Sequence, residues 1–134
     1  MRTVLLSLGI LIAGCGVNTT PTLELSELAR DGEKYNGQIV RTCGQLVEDI
    51  EYCGIRTRPL PESFPISEIG NFIWIDTQDG TCIPGKRNST DKSAVKAWVT
   101  VEGRFHTGGQ YGHMSQARYA MDAFRIEVLD KPCK

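Results

Sequence analysis

The sequence predicts a mainly β domain: a small five-stranded antiparallel barrel preceded by a short helix. Three observations predict it. Apolar and polar residues alternate in several short segments, the period of a half-buried strand, and most clearly from Val99 to Phe105. Clusters of Gly, Pro, Asn, Asp and Ser punctuate those segments. Only the stretch that opens at Leu23 carries helical spacing. A five-stranded sheet of this length curls and closes, because closure removes exposed edges.

The chain of 134 residues opens with Met1-Arg2-Thr3 and an apolar run from Val4 to Ile12. A basic start, an apolar middle and small residues at a cut are the order of an export signal. As a helix the run is about 14 Å long against a hydrocarbon core of about 30 Å, too short to span. Ile12-Ala13-Gly14-Cys15 resembles the lipobox of bacterial lipoproteins. That resemblance implies a diacylglyceryl group on the Cys15 sulfur, cleavage before Cys15 and acylation of the new amine. It also implies a membrane partner reached through lipid. Gly16 stands where an Asp holds many such proteins at the inner membrane. In a cell with two membranes the expected location is therefore the outer one, facing the periplasm. Residues 1–14 read as the signal, 15–22 as a lipidated polar tether and 23–134 as the domain.

Within the domain, Leu25, Leu28 and Ala29 share one helix face, with Ser26 as the expected cap and Gly32 as the stop. Tyr35-Asn36-Gly37 turns into a strand over Ile39–Val47, with Val40, Thr42, Gly44 and Leu46 on one face. Glu48-Asp49 is the expected turn, and Ile50 to Arg58 returns antiparallel. Pro59, Pro61 and Pro65 make the following stretch irregular. Phe72 to Ile75 is a short apolar strand ended by Thr77-Gln78-Asp79-Gly80, and Cys82 to Asp91 is loop. In the strand from Ala94 to Phe105, Val99, Val101, Gly103 and Phe105 share a face. Thr107 to Gly112 is a turn or loop. In the last strand Phe124, Ile126 and Val128 alternate with Arg125, Glu127 and Leu129.

Composition narrows the function. Arg2 is the one charge in the signal, so the mature chain carries 14 basic and 16 acidic side chains, net −2. No basic field exists to hold nucleic acid, and nucleic-acid binding is not expected. Besides Cys15 there are four cysteines, Cys43, Cys53, Cys82 and Cys133. An even number in an exported chain points to two disulfides. Of three possible pairings, Cys43–Cys53 across the hairpin with Cys82–Cys133 at the tail is the expected one. No closely spaced Cys pair of a structural zinc site occurs.

Three segments resemble exported OB-fold domains of bacteria. The first runs from Ser26-Glu27-Leu28-Ala29 through Lys34-Tyr35-Asn36-Gly37 to Val40-Arg41-Thr42-Cys43-Gly44. The second is Val99-Thr100-Val101-Glu102-Gly103-Arg104-Phe105, and the third is Gly112-His113-Met114 before the last strand. The resemblance implies an OB-like barrel, with Gly103 at a sharp strand bend, and supplies no function of its own.

Candidate chemistry is sparse. His106, His113 and Met114 flank the glycine-rich loop and form a weak candidate for a soft, copper-type metal site. Tyr52, Trp74, Trp98, Phe105 and Tyr111 are candidate stacking rings. Lys86-Arg87 and Arg56 with Arg58 are small basic clusters, Asn88-Ser89-Thr90 matches a glycosylation sequon, and Glu48, Asp49 and Glu51 form an acidic knot. No nucleophile-elbow, metalloprotease-helix or phosphate-loop motif occurs, so neither an enzyme nor a cofactor is expected. The expected role is a lipid-anchored binding module of the cell envelope, with an envelope protein or glycan as partner. A small-ligand or metal-binding lipoprotein is the alternative.

Overall fold

The computed structural model describes residues 19–49, 52–56, 72–85 and 95–134. The signal segment, Cys15, Glu51, Arg58, the prolines from Pro59 to Pro65, Lys86-Arg87 and the Asn88 sequon lie outside the described residues.

A two-residue strand, β1 (Thr22–Leu23), leads into helix α1 (Leu25–Asp31) and a 3-10 turn over Gly32–Tyr35. Five longer strands follow: β2 (Ile39–Asp49), β3 (Tyr52–Arg56), β4 (Phe72–Thr77), β5 (Val95–His106) and β6 (Tyr119–Leu129). Their hydrogen-bonded order is β1-β2-β3-β4-β6-β5, and β2 also pairs with β5, which closes the sheet. This is a five-stranded OB-like barrel with a short helix before it, the fold class expected from alternation and turns.

Two pairings run parallel, β1 with β2 and β4 with β6. Alternation marks faces and carries no information about strand direction, so this feature was not legible in the sequence. One end of the barrel gathers Ile39, His106 and Tyr119, where the loop 107–118 leaves β5 and rejoins β6. The other gathers Asp49, Tyr52, Val95 and Leu129. We refer to these as the loop end and the hairpin end.

The interior is the face the pattern predicts. Val40, Leu46, Val99, Val101 and Phe105 are fully buried together with Leu28, Ile55, Ile73 and Met121. Thr42 joins them and donates its hydroxyl to the Leu23 carbonyl at 2.8 Å, which fixes β1. Inward-facing Gly44 leaves room for Leu25 of the helix; a Cβ there would lie 2.2 Å from Leu25 Cδ1.

Several local expectations are corrected. Ser26 is not the helix cap: Glu24 occupies that position, makes no side-chain cap and accepts the Glu27 and Leu28 amides through its carbonyl. Gly32 does not stop the chain from coiling, because at φ −51 it continues into the 3-10 turn. Packing explains its identity: a Cβ would meet the Tyr119 and Phe105 rings at 3.0–3.2 Å. Glu48 and Asp49 belong to β2, pairing with Cys53 and Tyr52, and do not form the expected turn.

Residues 20–22, at the end of the segment read as a tether, are bonded to the barrel. Thr20 donates its hydroxyl to Glu102 at 2.8 Å, the Pro21 carbonyl accepts the Arg41 amide at 2.9 Å, and Thr22 pairs with Arg41. These backbone and side-chain bonds draw residues 20–22 into the fold.

The last strand changes phase. Glu102 pairs with Arg125 but Gly103 with Ala123, so Phe124 is an extra residue in a β-bulge. Tyr119, Met121 and Ala123 point inward before it and Ile126 packs on the core after it, while Phe124 and Val128 are 56% and 49% exposed. The expected common face of Phe124, Ile126 and Val128 is therefore split.

The disulfides join Cys43 to Cys133 and Cys53 to Cys82, not Cys43 to Cys53 and Cys82 to Cys133. Register gives the reason. Cys53 pairs with Glu48, five residues along β2 from Cys43, so Cys43 and Cys53 are about 17 Å apart at roughly 3.4 Å per residue. A disulfide needs Cα atoms within about 7 Å. The observed pairs are 5.9 and 5.8 Å apart.

Candidate functional site

Beside the outer edge of β3 and β4 lies an open depression of about 490 Å³. Alternation builds its aromatic wall. On β4, Ile73 and Ile75 enter the core, which turns Phe72, Trp74 and Asp76 to the other face. On β3, Tyr52 shares that outer face, and Gly54 pairs with Trp74. The Tyr52 ring stands edge-on to Phe72 at 4.8 Å and 61°, and to Trp74 at 6.2 Å and 87°. Gly54 permits this close cover, since a Cβ there would lie 2.7 Å from the Tyr52 hydroxyl and 2.9 Å from Phe72.

Polar groups complete the lining. Glu48 of β2, Asp76 and Thr77 of β4, and His113 of the loop between β5 and β6 face the depression with Tyr52 and Trp74. Glu48 Oε2 accepts the Ile83 amide at 3.1 Å, and the Cys53–Cys82 bridge ties the same segment to β3. Two independent links therefore hold that wall. On the opposite side Gly112, at φ +76, lays backbone on the Trp74 ring; a Cβ would come within 2.2 Å of it. Burial raises the Tyr52 phenol well above the ordinary 10.0, with the Arg56 charge opposing, so the ring presents a neutral hydroxyl. Perpendicular rings with carboxylates, a hydroxyl and an imidazole around them can hold a small polar ligand by one apolar face and several hydrogen bonds.

The structure sorts the sequence candidates. Tyr52 and Trp74 share the depression, whereas Phe105 is a core ring 5.4 Å from Tyr119. Trp98 lies half-buried on β5 between Gln45 and Leu129. Tyr111 ties its own loop, its hydroxyl donating to the Thr107 carbonyl at 2.9 Å. Of the acidic knot, Glu48 reaches the depression. Asp49 ends β2. His106 and His113 take separate positions: His106 Nε2 is 2.7 Å from Asp122 Oδ2, while His113 lines the depression and Met114 is 76% exposed. Among the described residues no three His, Cys, Asp or Glu side chains come together as metal ligands.

Sequence reading missed Asp76, Thr77 and Gly112. Asp76 carried a usable signal, as the outward partner of Trp74 two residues along the same strand.

A second depression of about 520 Å³ lies beyond the β-bulge, between Phe124 and the turn after β4. It gathers one exposed ring, Phe124, with Arg125 of β6 and the polar side chains of Thr77, Gln78, Asp79 and Thr81.

Fold and site together define an OB-like barrel with an aromatic, acid-edged depression on its side. No protein-family model, no curated protein and no solved structure shows significant similarity to the chain.

Proposed function

We propose that the mature chain is a lipid-anchored binding module of the cell envelope, held through Cys15, whose depression takes a sugar of an envelope glycan. The observation that carries the binding reading is the convergence of Tyr52, Trp74, Glu48, Asp76 and His113 from three strands and a loop. Sugars offer an apolar face to an aromatic ring and hydroxyls to carboxylates, and this lining provides both. The anchor reading rests on Ile12-Ala13-Gly14-Cys15 behind a short apolar run. The role is binding rather than catalysis, in keeping with a sequence that carries no hydrolase or phosphotransfer motif.

The test of the binding site uses the soluble mature domain and the tetramer of N-acetylglucosamine, followed by amide NMR. Signals of Trp74, Thr77 and His113 are expected to shift together on titration. Asp76 is exposed, so Asp76→Ala leaves the fold intact and is expected to weaken binding about tenfold, near 1.4 kcal/mol. No shift at any of those positions up to millimolar sugar would reject the glycan reading. For the anchor, intact-mass analysis of protein from an exporting host is expected to show residues 15–134 plus diacylglycerol and acyl chains. Cys15→Ser is expected to abolish flotation with vesicles.

A further inference from the structure

We infer that the depression at Trp74 is one end of a longer groove that crosses β4 and β6 to Phe124 and holds a linear oligosaccharide on two separate aromatic platforms. This rests on the glycan reading and adds to it the length of the ligand and a second contact site.

Continuity of the surface supplies the first argument. A third depression, of about 370 Å³, lies over the pairing of β4 with β6. It shares Asp76 and Thr77 with the depression at Trp74. It shares Thr77, Gln78, Ala123 and Phe124 with the one beyond the β-bulge. The three join into one run of concave surface, with Tyr52 and Trp74 at one end and Phe124 at the other.

Strand geometry spaces the two platforms. In the parallel ladder Trp74 pairs with Ala120 and Asp76 with Asp122. Trp74 stands two residues before Asp76 and Phe124 two residues after Asp122, so all four share the outer face. Four steps of about 3.3 Å and one strand spacing of about 4.8 Å put Trp74 and Phe124 roughly 14 Å apart. That is farther than a single pyranose ring reaches, so one ligand touches both rings only as a chain of sugars. The β-bulge sets the far platform: Phe124 has no partner on β5, and its ring is 56% exposed. Bulges re-aim side chains in this way beside binding sites.

Hydrogen-bonding groups stand between the rings. Asp76 and Asp122 lie side by side, and both are exposed. Arg104 pairs with Asp122 across β5 and β6, and His106 Nε2 lies 2.7 Å from Asp122 Oδ2, so a cation and an imidazole support the second carboxylate beside the first. Both carboxylates accept from sugar hydroxyls, as Glu48 does at the near end. Under the groove, β4 and β6 are paired to each other from Ile73 to Thr77 and from Tyr119 to Ala123, so this floor offers side chains rather than a strand edge. That favours a glycan over an extended peptide, which draws its affinity from backbone pairing.

The experiment titrates the soluble mature domain with N-acetylglucosamine and with its tetramer, followed by amide NMR. Both sugars are expected to shift Trp74, and the tetramer is expected to shift Asp122, Phe124 and Arg125 as well. The tetramer is expected to bind about tenfold tighter than the monomer, and Phe124→Ser to remove most of that ratio. Phe124 is exposed, so the variant is expected to melt with the parent. Tetramer shifts that stop at Thr77, or a tetramer-to-monomer ratio unchanged by Phe124→Ser, overturn the groove and leave the single-sugar site standing. No shift at Trp74 from either sugar rejects the glycan reading and the groove with it. Shifts along the whole groove from an extended Val-Thr repeat peptide but not from the tetramer identify a peptide as the occupant and also overturn the inference.

Discussion

Gly112 meets two separate demands, and no other residue meets both. Its φ of +76 lies in the left-handed region, and a Cβ would sit 2.2 Å from the Trp74 ring. Gly112→Ala is expected to destabilise the domain by about 2 kcal/mol or more, combining backbone strain with overpacking. Tryptophan emission reports the second effect: a red shift in the folded variant means Trp74 has lost its cover, and unchanged emission and melting temperature refute the packing account. Tyr52 offers a pH test. Its folded-state value is raised by burial above the ordinary 10.0. As pH rises past about 10 the unfolded chain gives up that proton first, so stability falls there and is untouched below. Tyr52→Phe is expected to flatten the decline in melting temperature above about pH 10. An identical decline in the variant would assign the effect to other groups.

At the scale of elements, the bulge in β6 and the two staples decide which faces meet. Opposite the bulge, a Cβ on Gly103 would lie 2.4 Å from the Asp122 carbonyl oxygen, a backbone atom that cannot swing away. Gly103→Ala is expected to cost about 2 kcal/mol or more, read as a lower urea midpoint at unchanged slope. A midpoint equal to the parent's would show that the strands separate without cost. Phe124→Ser, in the exposed bulge residue, is expected to fall within about 0.5 kcal/mol of the parent. These strands show what alternation reveals and what it conceals. Val99, Val101 and Phe105 announce the inner face of β5 because nothing interrupts their period of two. Phe124 reads as sharing the inner face of Ile126 and Val128, but one extra residue inverts the phase between them, and no residue type marks it. The disulfides were legible as a count but not as pairs. Pairing depends on register, which rests on contacts between residues far apart in the chain. The depression was half legible for the same reason: Tyr52 and Trp74 stand out as rings, but only strand pairing brings them to Glu48, and only the loop path brings His113.

For the molecule as a whole, the thin strand β1 links the barrel to everything N-terminal of it, so its attachment controls how the domain is presented. Thr42 is the key to that attachment. Fully buried, it donates to the Leu23 carbonyl at 2.8 Å, and its neighbour Arg41 donates its amide to Pro21. Thr42→Val keeps the shape and removes the hydroxyl donor to the Leu23 carbonyl, a loss of about 0.5–1.5 kcal/mol. Because β1 makes two pairings while β2 is held along its whole length by β5, the cost falls on β1 by local release rather than on the barrel. Hydrogen exchange tests this directly: the Arg41 amide is expected to exchange faster, by up to about tenfold, with the Val99 and Val101 amides nearly unchanged. Uniform acceleration of exchange across β2 and β5 would mean that β1 opens only with the entire barrel.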